Sequence, residues 1–151
     1  MSKIIPEKIV ILQVKLFRTN LDLTDTFLSN PVNVENFKVN FGHNTEFDFE
    51  SKSVRIRLEI ILEGIDEKEA LIGIKAEYGV VFIFYIDNFE DFIHEAEGRK
   101  EVDSILGITL LSMAYSTSRG IVLQRTQGTY FDGIILPVVD PKELLLKSKG
   151  K

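Results

Sequence analysis

The chain has 151 residues, of which 44% are apolar and 27% are charged, and this composition predicts one soluble globular domain over residues 1–151. Lys and Arg number 18 against 23 Asp and Glu, so the net charge of −5 argues against a nucleic-acid partner. The sequence contains no Cys, which excludes disulfides, thiol nucleophiles and cysteine-ligated metals.

The first apolar stretch, Ile9 to Leu16, is interrupted by Gln13 and Lys15. It is too short and too polar for a signal sequence or a membrane span, so we expect a cytoplasmic protein without membrane insertion. The same stretch alternates between apolar and polar residues and predicts a β-strand. The side chains expected to turn inward are Val10, Leu12, Val14 and Leu16.

Residues Thr19 to Phe41 are polar, lack a sustained period and predict a long crossing loop. Two alternating runs follow, Glu46 to Glu50 and Val54 to Glu63, and they predict a hairpin of an antiparallel sheet. Ala70 to Ile86 predicts a long fourth strand. The outward side chains of this sheet mix both signs of charge: Glu46, Asp48, Arg55, Arg57, Glu59, Glu63, Lys75 and Glu77.

A helix of about 26 residues is predicted from Glu101 to Thr126, with Gln127-Gly128 as its stop. Its apolar residues cover more than half of its circumference, so we expect the helix to pack on a second partner. The run Asp140-Pro141-Lys142-Glu143 predicts the start of a short helix, with Asp140 as its N-cap.

Catalytic and metal-binding patterns are missing from the sequence. His43 and His94 are the only imidazoles, and we expect both in polar loops without a carboxylate or Ser at a useful spacing. The Gly-rich phosphate loops and the common hydrolase motifs are also missing. We therefore expect no enzyme activity, no metal and no cofactor.

Several residues of the C-terminal half follow a familiar order: Tyr115 and Arg119 near the end of the long helix, then Gly128-Thr129, then Leu136-Pro137-Val138. This order resembles the SecB-type protein-export chaperones, including the SecB-like relatives that accompany toxin–antitoxin pairs. The strand Leu71 to Ile86, with Gly79 at its middle, also resembles the fourth strand of that family.

The resemblance implies an α+β fold, a four-stranded antiparallel sheet packed on one face by the long helix, with a short C-terminal lid helix. It further implies a homotetramer, a dimer of dimers with the sheets outside and the long helices between them. Such a protein is a holdase that binds unfolded preproteins or other non-native polypeptides and keeps them translocation-competent for the SecA motor. The SecA-docking surface of that family is acidic, whereas the outer sheet face here mixes signs.

Two sets of site residues follow. The resemblance implies a polypeptide-binding groove, and the apolar helix implies an oligomer interface. The alternative is a SecB-like interaction protein dedicated to one partner, such as an antitoxin, and a third is an enzyme or small-ligand binder in the same cleft. Suppression of aggregation favours the holdase, and one saturable partner favours the alternative. The groove residues are Phe27, Phe37, Phe41, Leu144 and Leu145; the interface residues are Leu106, Leu110 and Met113.

Overall fold

A computed structural model describes residues 3–146 and confirms the α+β fold. Four strands form one antiparallel sheet in the order β1-β4-β3-β2, a long helix packs on one face, and a short helix follows near the C-terminus. A separate hairpin of two short strands precedes the long helix. The elements are β1 (Ile9–Leu23), α1 (Asp25–Ser29), β2 (Asn36–Asp48), β3 (Ser53–Ile65), β4 (Leu71–Ile86), β5 (Ile93–Ala96), β6 (Arg99–Val102), α2 (Ser104–Arg125) and α3 (Pro141–Leu146).

The predicted β2–β3 hairpin and the strand β4 are confirmed. Strands β2 and β3 pair in unbroken register from Asp48↔Ser53 to Asn36↔Ile65. Every second side chain of β3 and β4 is buried beneath α2, as the alternation predicts. These buried side chains are Val54, Ile56, Leu58, Ile60 and Leu62 on β3, and Ile74, Ala76, Tyr78, Val80, Phe82, Phe84 and Ile86 on β4.

Two bulges change which side chains of β1 face the core. The register with β4 shifts at Leu12 and again at Phe17, neither of which has a partner. A bulge reverses the parity of the strand beyond it, because successive side chains alternate between the two faces. Val10 therefore lies opposite Tyr85 on the outer face, and Leu12 is 59% exposed. The predicted inward direction is wrong for these two residues and correct for Val14 and Leu16.

The predicted crossing loop from Thr19 to Phe41 is wrong. Strand β1 runs on to Leu23, α1 follows, and β2 begins at Asn36. Helix α1 starts where it does because the Thr24 hydroxyl accepts a hydrogen bond from the Phe27 backbone N–H at 3.1 Å, which satisfies one unpaired donor of its first turn. Residues 30–35 are the main part of the predicted loop that forms neither helix nor strand.

Gly73 in β4 holds this cap in place. Its φ is +96°, and a Cβ there would collide with the Thr24 hydroxyl oxygen and meet the Phe27 Cβ at 3.2 Å. We expect Gly73→Ala to lower the free energy of unfolding by about 3 kcal/mol, from backbone strain and loss of the cap. Urea unfolding measures it, with Gly42→Ala as control because nothing lies within 4 Å of the Cβ position there. Equal stability of the two variants would contradict the prediction.

Helix α2 begins three residues later than predicted, at Ser104 instead of Glu101. Residues 99–102 pair with β5, and Asp103 caps the helix by accepting a hydrogen bond from the Ile105 N–H at 3.3 Å. The pairing places His94 opposite Glu101, with 3.6 Å between Nε2 and Oε1. The expected loop position is therefore wrong for His94, which lies in β5.

Helix α2 has two apolar faces. One face is buried against β3 and β4, whereas the other shows Ile105, 41% exposed, and Leu123, 38% exposed. The helix carries only two charged residues, Arg119 and Arg125. Its length and composition would also suit a membrane span, a property that it shares with core helices of other proteins. The buried face consists of Leu106, Gly107, Leu110, Leu111, Ala114, Tyr115, Ser118 and Val122.

Candidate functional site

A row of apolar and aromatic side chains follows the helix side of β2, which lies at one edge of the sheet. Their partners across β3, such as Leu62 and Ile60, belong to the core, so the row faces the same side as the core. Most of the row is only half-buried because no further strand continues the sheet beyond β2. We call it the inner row; it consists of Phe37, Val39, Phe41, His43, Thr45 and Phe47.

Residues 137–146, which we call the C-terminal cover, lie against α2 and the inner row. Tyr115 of α2 donates its hydroxyl hydrogen to the Pro137 carbonyl at 2.6 Å. One turn along the helix, Arg119 Nε donates to the Leu136 carbonyl at 3.1 Å, just before the cover begins. His43 Nε2 lies 3.1 Å from the Leu145 carbonyl oxygen. Side chains of α2 and β2 therefore hold this part of the chain mainly through its backbone.

The cover meets the inner row at an aromatic pair. The rings of Phe41 and Tyr115 contact edge to face, with centroids 5.2 Å apart. Helix α3 begins as predicted, because the Asp140 carboxylate accepts a hydrogen bond from the Lys142 N–H at 3.0 Å. Leu144 is buried, yet a cavity of 220 Å³ remains between α2 and the cover. The cover is therefore incompletely packed.

A larger hollow of 700 Å³ lies at the β2–β3 turn, and its lining is mainly on the outer face of the sheet, with Glu46, Asp48 and Arg55. Phe47 and Phe49 border it and contact Phe89 with ring centroids 6.2 and 5.7 Å apart. Lys100 Nζ lies 5.4 Å from the Phe49 ring centroid, at a cation–π distance. The aromatic surface thus extends from the cover to the β2–β3 turn.

The predicted groove residues lie in three different places. Phe37 and Phe41 belong to the inner row, and Leu144 and Leu145 to the cover. Phe27 is 4% exposed and packs on Tyr130 with centroids 5.3 Å apart, so its side chain has no surface to offer a polypeptide.

Sequence reasoning missed His43, Thr45 and Phe47 as members of the row. The expected loop position of His43 is wrong, since this residue is 8% exposed within β2. A signal was present, because every second residue from Phe37 to Phe47 alternates with polar residues or glycine.

The three predicted interface residues differ in their burial. Leu106 and Leu110 are completely buried within the chain and have no surface left for a partner subunit. Met113 is half-buried. The free face of α2 near it carries Ile105 and Ile108.

Burial raises the pKa of Tyr115 above its ordinary value of 10.0, and the nearby Arg119 partly opposes this effect. Burial also raises the pKa of Tyr78, with Arg125 opposing. A raised pKa in the folded state means that the unfolded state loses its protons first as the pH rises.

We therefore expect the free energy of unfolding to fall as the pH rises above about 10, because the folded state holds these phenolic protons more tightly. Urea unfolding of the parent and of Tyr115→Phe at pH 8 to 11 measures the effect. The variant should lose less stability over this range, since only Tyr78 then contributes a raised pKa. An identical slope for both proteins would contradict the assignment.

Within residues 3–146, no group of three or more His, Asp or Glu side chains is placed to hold a metal ion. The site offers an aromatic surface and hydrogen-bond donors that already bind backbone carbonyls. Aromatic surface and donors to carbonyls are the groups by which a protein can hold a polypeptide without covalent chemistry.

A solved structure, the Mycobacterium tuberculosis Rv1957 SecB-like chaperone in complex with a ChAD peptide from the Rv1956 HigA1 antitoxin, has a similar fold. It is 13% identical, the TM-score is 0.60, and the match covers 88% of this chain and 91% of that chain. A protein of unknown function from Streptococcus agalactiae is 12% identical with a TM-score of 0.45, over 86% of this chain and 97% of that chain. No protein-family model and no curated protein matches the sequence. Together with the strand order and the long packed helix, the first similarity confirms the predicted architecture: the chain has the SecB-like fold.

Proposed function

We propose that this protein is a molecular chaperone, a holdase that binds unfolded preproteins or other non-native polypeptides and keeps them translocation-competent. The observation that carries the proposal is the partly exposed inner row at the edge of the sheet, beneath an incompletely packed cover. The similar fold of a SecB-like chaperone bound to a peptide supports it.

The inner row suits clients of many sequences. Unfolded chains expose apolar side chains, and burial of each such side chain on an aromatic surface gives a modest, non-directional gain. Phe37, Phe41 and Phe47 spread this surface along one side of the 13-residue strand β2. Several weak contacts along one strand hold a polypeptide without requiring a particular sequence.

Suppression of aggregation tests this function. A thermally denatured client such as citrate synthase scatters light as it aggregates, and we expect the protein to suppress the scattering at a few-fold molar excess. The result should recur with chemically unrelated clients. Unchanged scattering with all of them would contradict the holdase function.

We also propose the homotetramer, a dimer of dimers in which the free faces of α2 pack between two outer sheets. Ile105 and Met113 lie on α2 and keep surface outside the chain's own core, whereas Leu106 and Leu110 do not. Light scattering at micromolar concentration should give four times the chain mass of 17.2 kDa. A mass of one chain would contradict this assembly. The proposal includes a cytoplasmic location and, as the partner beside the clients, either SecA or an antitoxin.

A second candidate is a protein dedicated to one partner, such as an antitoxin. The complex of the Mycobacterium tuberculosis SecB-like chaperone with an antitoxin peptide favours it. Calorimetric titration with a panel of unrelated unfolded polypeptides distinguishes the two. Similar affinities across the panel favour the holdase, and saturable binding of one antitoxin with no binding of the panel favours the dedicated partner.

A further inference from the structure

An aromatic side chain lies on the outer face of the sheet at the second bulge of β1. Phe17 is 41% exposed, and its ring lies over Gly79 of β4, where an added Cβ would come within 2.5 Å of the ring Cζ. Gly79 pairs with Arg18 on one side and with Glu59 on the other. The missing side chain at Gly79 therefore lets the ring pack on the backbone of a central strand.

Three cations lie around this part of the outer face. The guanidinium carbons of Arg57 and Arg18 are 5.1 and 5.6 Å from the Phe17 ring centroid, at cation–π distances. Lys15 and Arg57 pair with Val81 from its two sides, so their backbone positions are about 10 Å apart across β4. We call this group the basic patch; it consists of Lys15, Phe17, Arg18, Arg57 and the carboxylate Glu59.

The basic patch carries more positive charge than its carboxylate balances. One oxygen of Glu59 lies 3.2 Å from Arg18 and the other lies 3.2 Å from Arg57, so both guanidinium groups share one partner. Among the residues that the structure describes, no carboxylate forms an ion pair with Lys15. The other ion pairs of this face join one cation to one carboxylate. The patch therefore holds a local excess of two positive charges among neutral pairs.

We propose that the basic patch docks a partner protein through a segment that carries Asp or Glu residues beside an aromatic or aliphatic side chain. Lys15 and the outward N–H donors of the two arginines bind the carboxylates, and Phe17 contacts the apolar side chain. The patch lies on the opposite face of the sheet from the inner row. This inference therefore goes beyond the proposed function and does not depend on it.

The composition and rigidity of the patch favour a protein partner. Arginine and aromatic side chains are enriched at the centres of protein interfaces, where they contribute much of the binding free energy. Phe17 is held between Gly79 and two guanidinium groups, so binding orders few additional side chains. The side chains of Arg18 and Arg57 are 45% and 39% exposed, which leaves donors accessible to a partner.

The distribution of charge disfavours a nucleic acid or an anionic membrane as the occupant. Either would need a broad surface of positive charge, because its affinity depends on many phosphate contacts. The chain instead has a net charge of −5, and Glu46, Glu63 and Glu77 lie on the same face as the patch. An acidic segment of a few residues needs only the local excess.

Peptide binding by the full-length protein tests the proposal. The probe is a fluorescein-labelled peptide of sequence Glu-Asp-Phe-Asp-Glu-Leu-Asp-Glu, followed by anisotropy. The test variant combines Lys15→Glu with Arg18→Gln, and the control combines Lys38→Glu with Lys68→Gln, which changes the net charge equally at exposed positions away from the patch. We expect about tenfold weaker binding by the test variant, because it loses two charge contacts and gains a repulsion. The control should bind like the parent.

Three results overturn the proposal. These are no binding of the probe by the parent, unchanged binding by the test variant, and an equal loss in the test and control variants, which would show attraction by net charge alone. Tighter binding of a labelled single-stranded DNA that the test variant loses would assign the patch to nucleic acid and also overturn it. A lower mass of the test variant by light scattering, with parental peptide binding, would assign the patch to contact between copies, with the same consequence.

Phe17→Ser tests the apolar contact separately. It should weaken binding of the first peptide about threefold or more, because the aromatic surface for its Phe and Leu is lost. A second peptide with Ser in place of Phe and Leu should bind the parent and Phe17→Ser alike. Equal affinity of the two proteins for the first peptide overturns the role of Phe17. The Lys15→Glu, Arg18→Gln variant decides the proposal if Phe17→Ser does not fold.

Discussion

Replacing Phe37 and Phe41 together by Ser should weaken binding of unfolded polypeptide by at least tenfold. Each half-buried ring offers apolar surface to a client, and loss of about 1.4 kcal/mol of binding free energy already corresponds to tenfold. The change is measured by the fluorescence anisotropy of labelled, reduced and carboxymethylated α-lactalbumin, an unfolded polypeptide. Phe41 also contacts Tyr115, so we expect the thermal transition to fall by a few degrees.

The matched control changes the opposite face of the same strand. Lys38→Ser with Asn40→Ser removes two exposed side chains, and the ion pair of Lys38 with Glu63 spans 3.9 Å at the surface. Exposed ion pairs contribute little to stability, so this variant should bind and unfold like the parent. Parental affinity in the Phe double variant would place the client elsewhere, and its unfolding would assign both rings to the core.

Leu110→Ala should lower the free energy of unfolding by about 3 kcal/mol, because it opens a cavity in the core between α2 and the sheet. The side chain is completely buried within one chain, so this loss should not depend on protein concentration. Urea unfolding at two protein concentrations measures both properties.

Met113→Ala is the control on the same helix, since this side chain is only half-buried. We expect it to cost less than about 1 kcal/mol within the chain and to weaken the proposed tetramer, seen as a lower mass by light scattering. The placement of both residues would be wrong if Leu110→Ala dissociated the assembly without lowering the stability of the subunit.

The parts of the fold that were predicted correctly depend on a simple period. Strands β3 and β4 alternate over most of their length, and this alternation correctly predicts most of their buried side chains. The same pattern fails for strand β1, because each bulge inserts one residue and reverses which side chains face the core. No Gly or Pro lies between Ile9 and Leu23 to indicate a bulge in the sequence.

For the candidate site, the sequence identifies some of the residues but not the strand that holds them. The sequence predicts a loop at Phe37 and Phe41, since the Asn and Thr residues around them indicate turns. Tertiary pairing with β3 overrode that local preference over the whole of β2. The bonds from Tyr115, Arg119 and His43 to distant carbonyls join residues that are 17 to 102 positions apart, and no spacing in the sequence reveals such contacts.

The outer face of the sheet carries its charges in neighbouring pairs. Arg55 lies 3.5 Å from Glu46, Lys75 lies 3.3 Å from Glu77, and Glu59 pairs with both Arg18 and Arg57 at 3.2 Å. Paired charges cancel at a distance, so this face produces no extended field of one sign. A protein that docks on it should therefore associate at a rate that depends weakly on ionic strength, without long-range electrostatic steering.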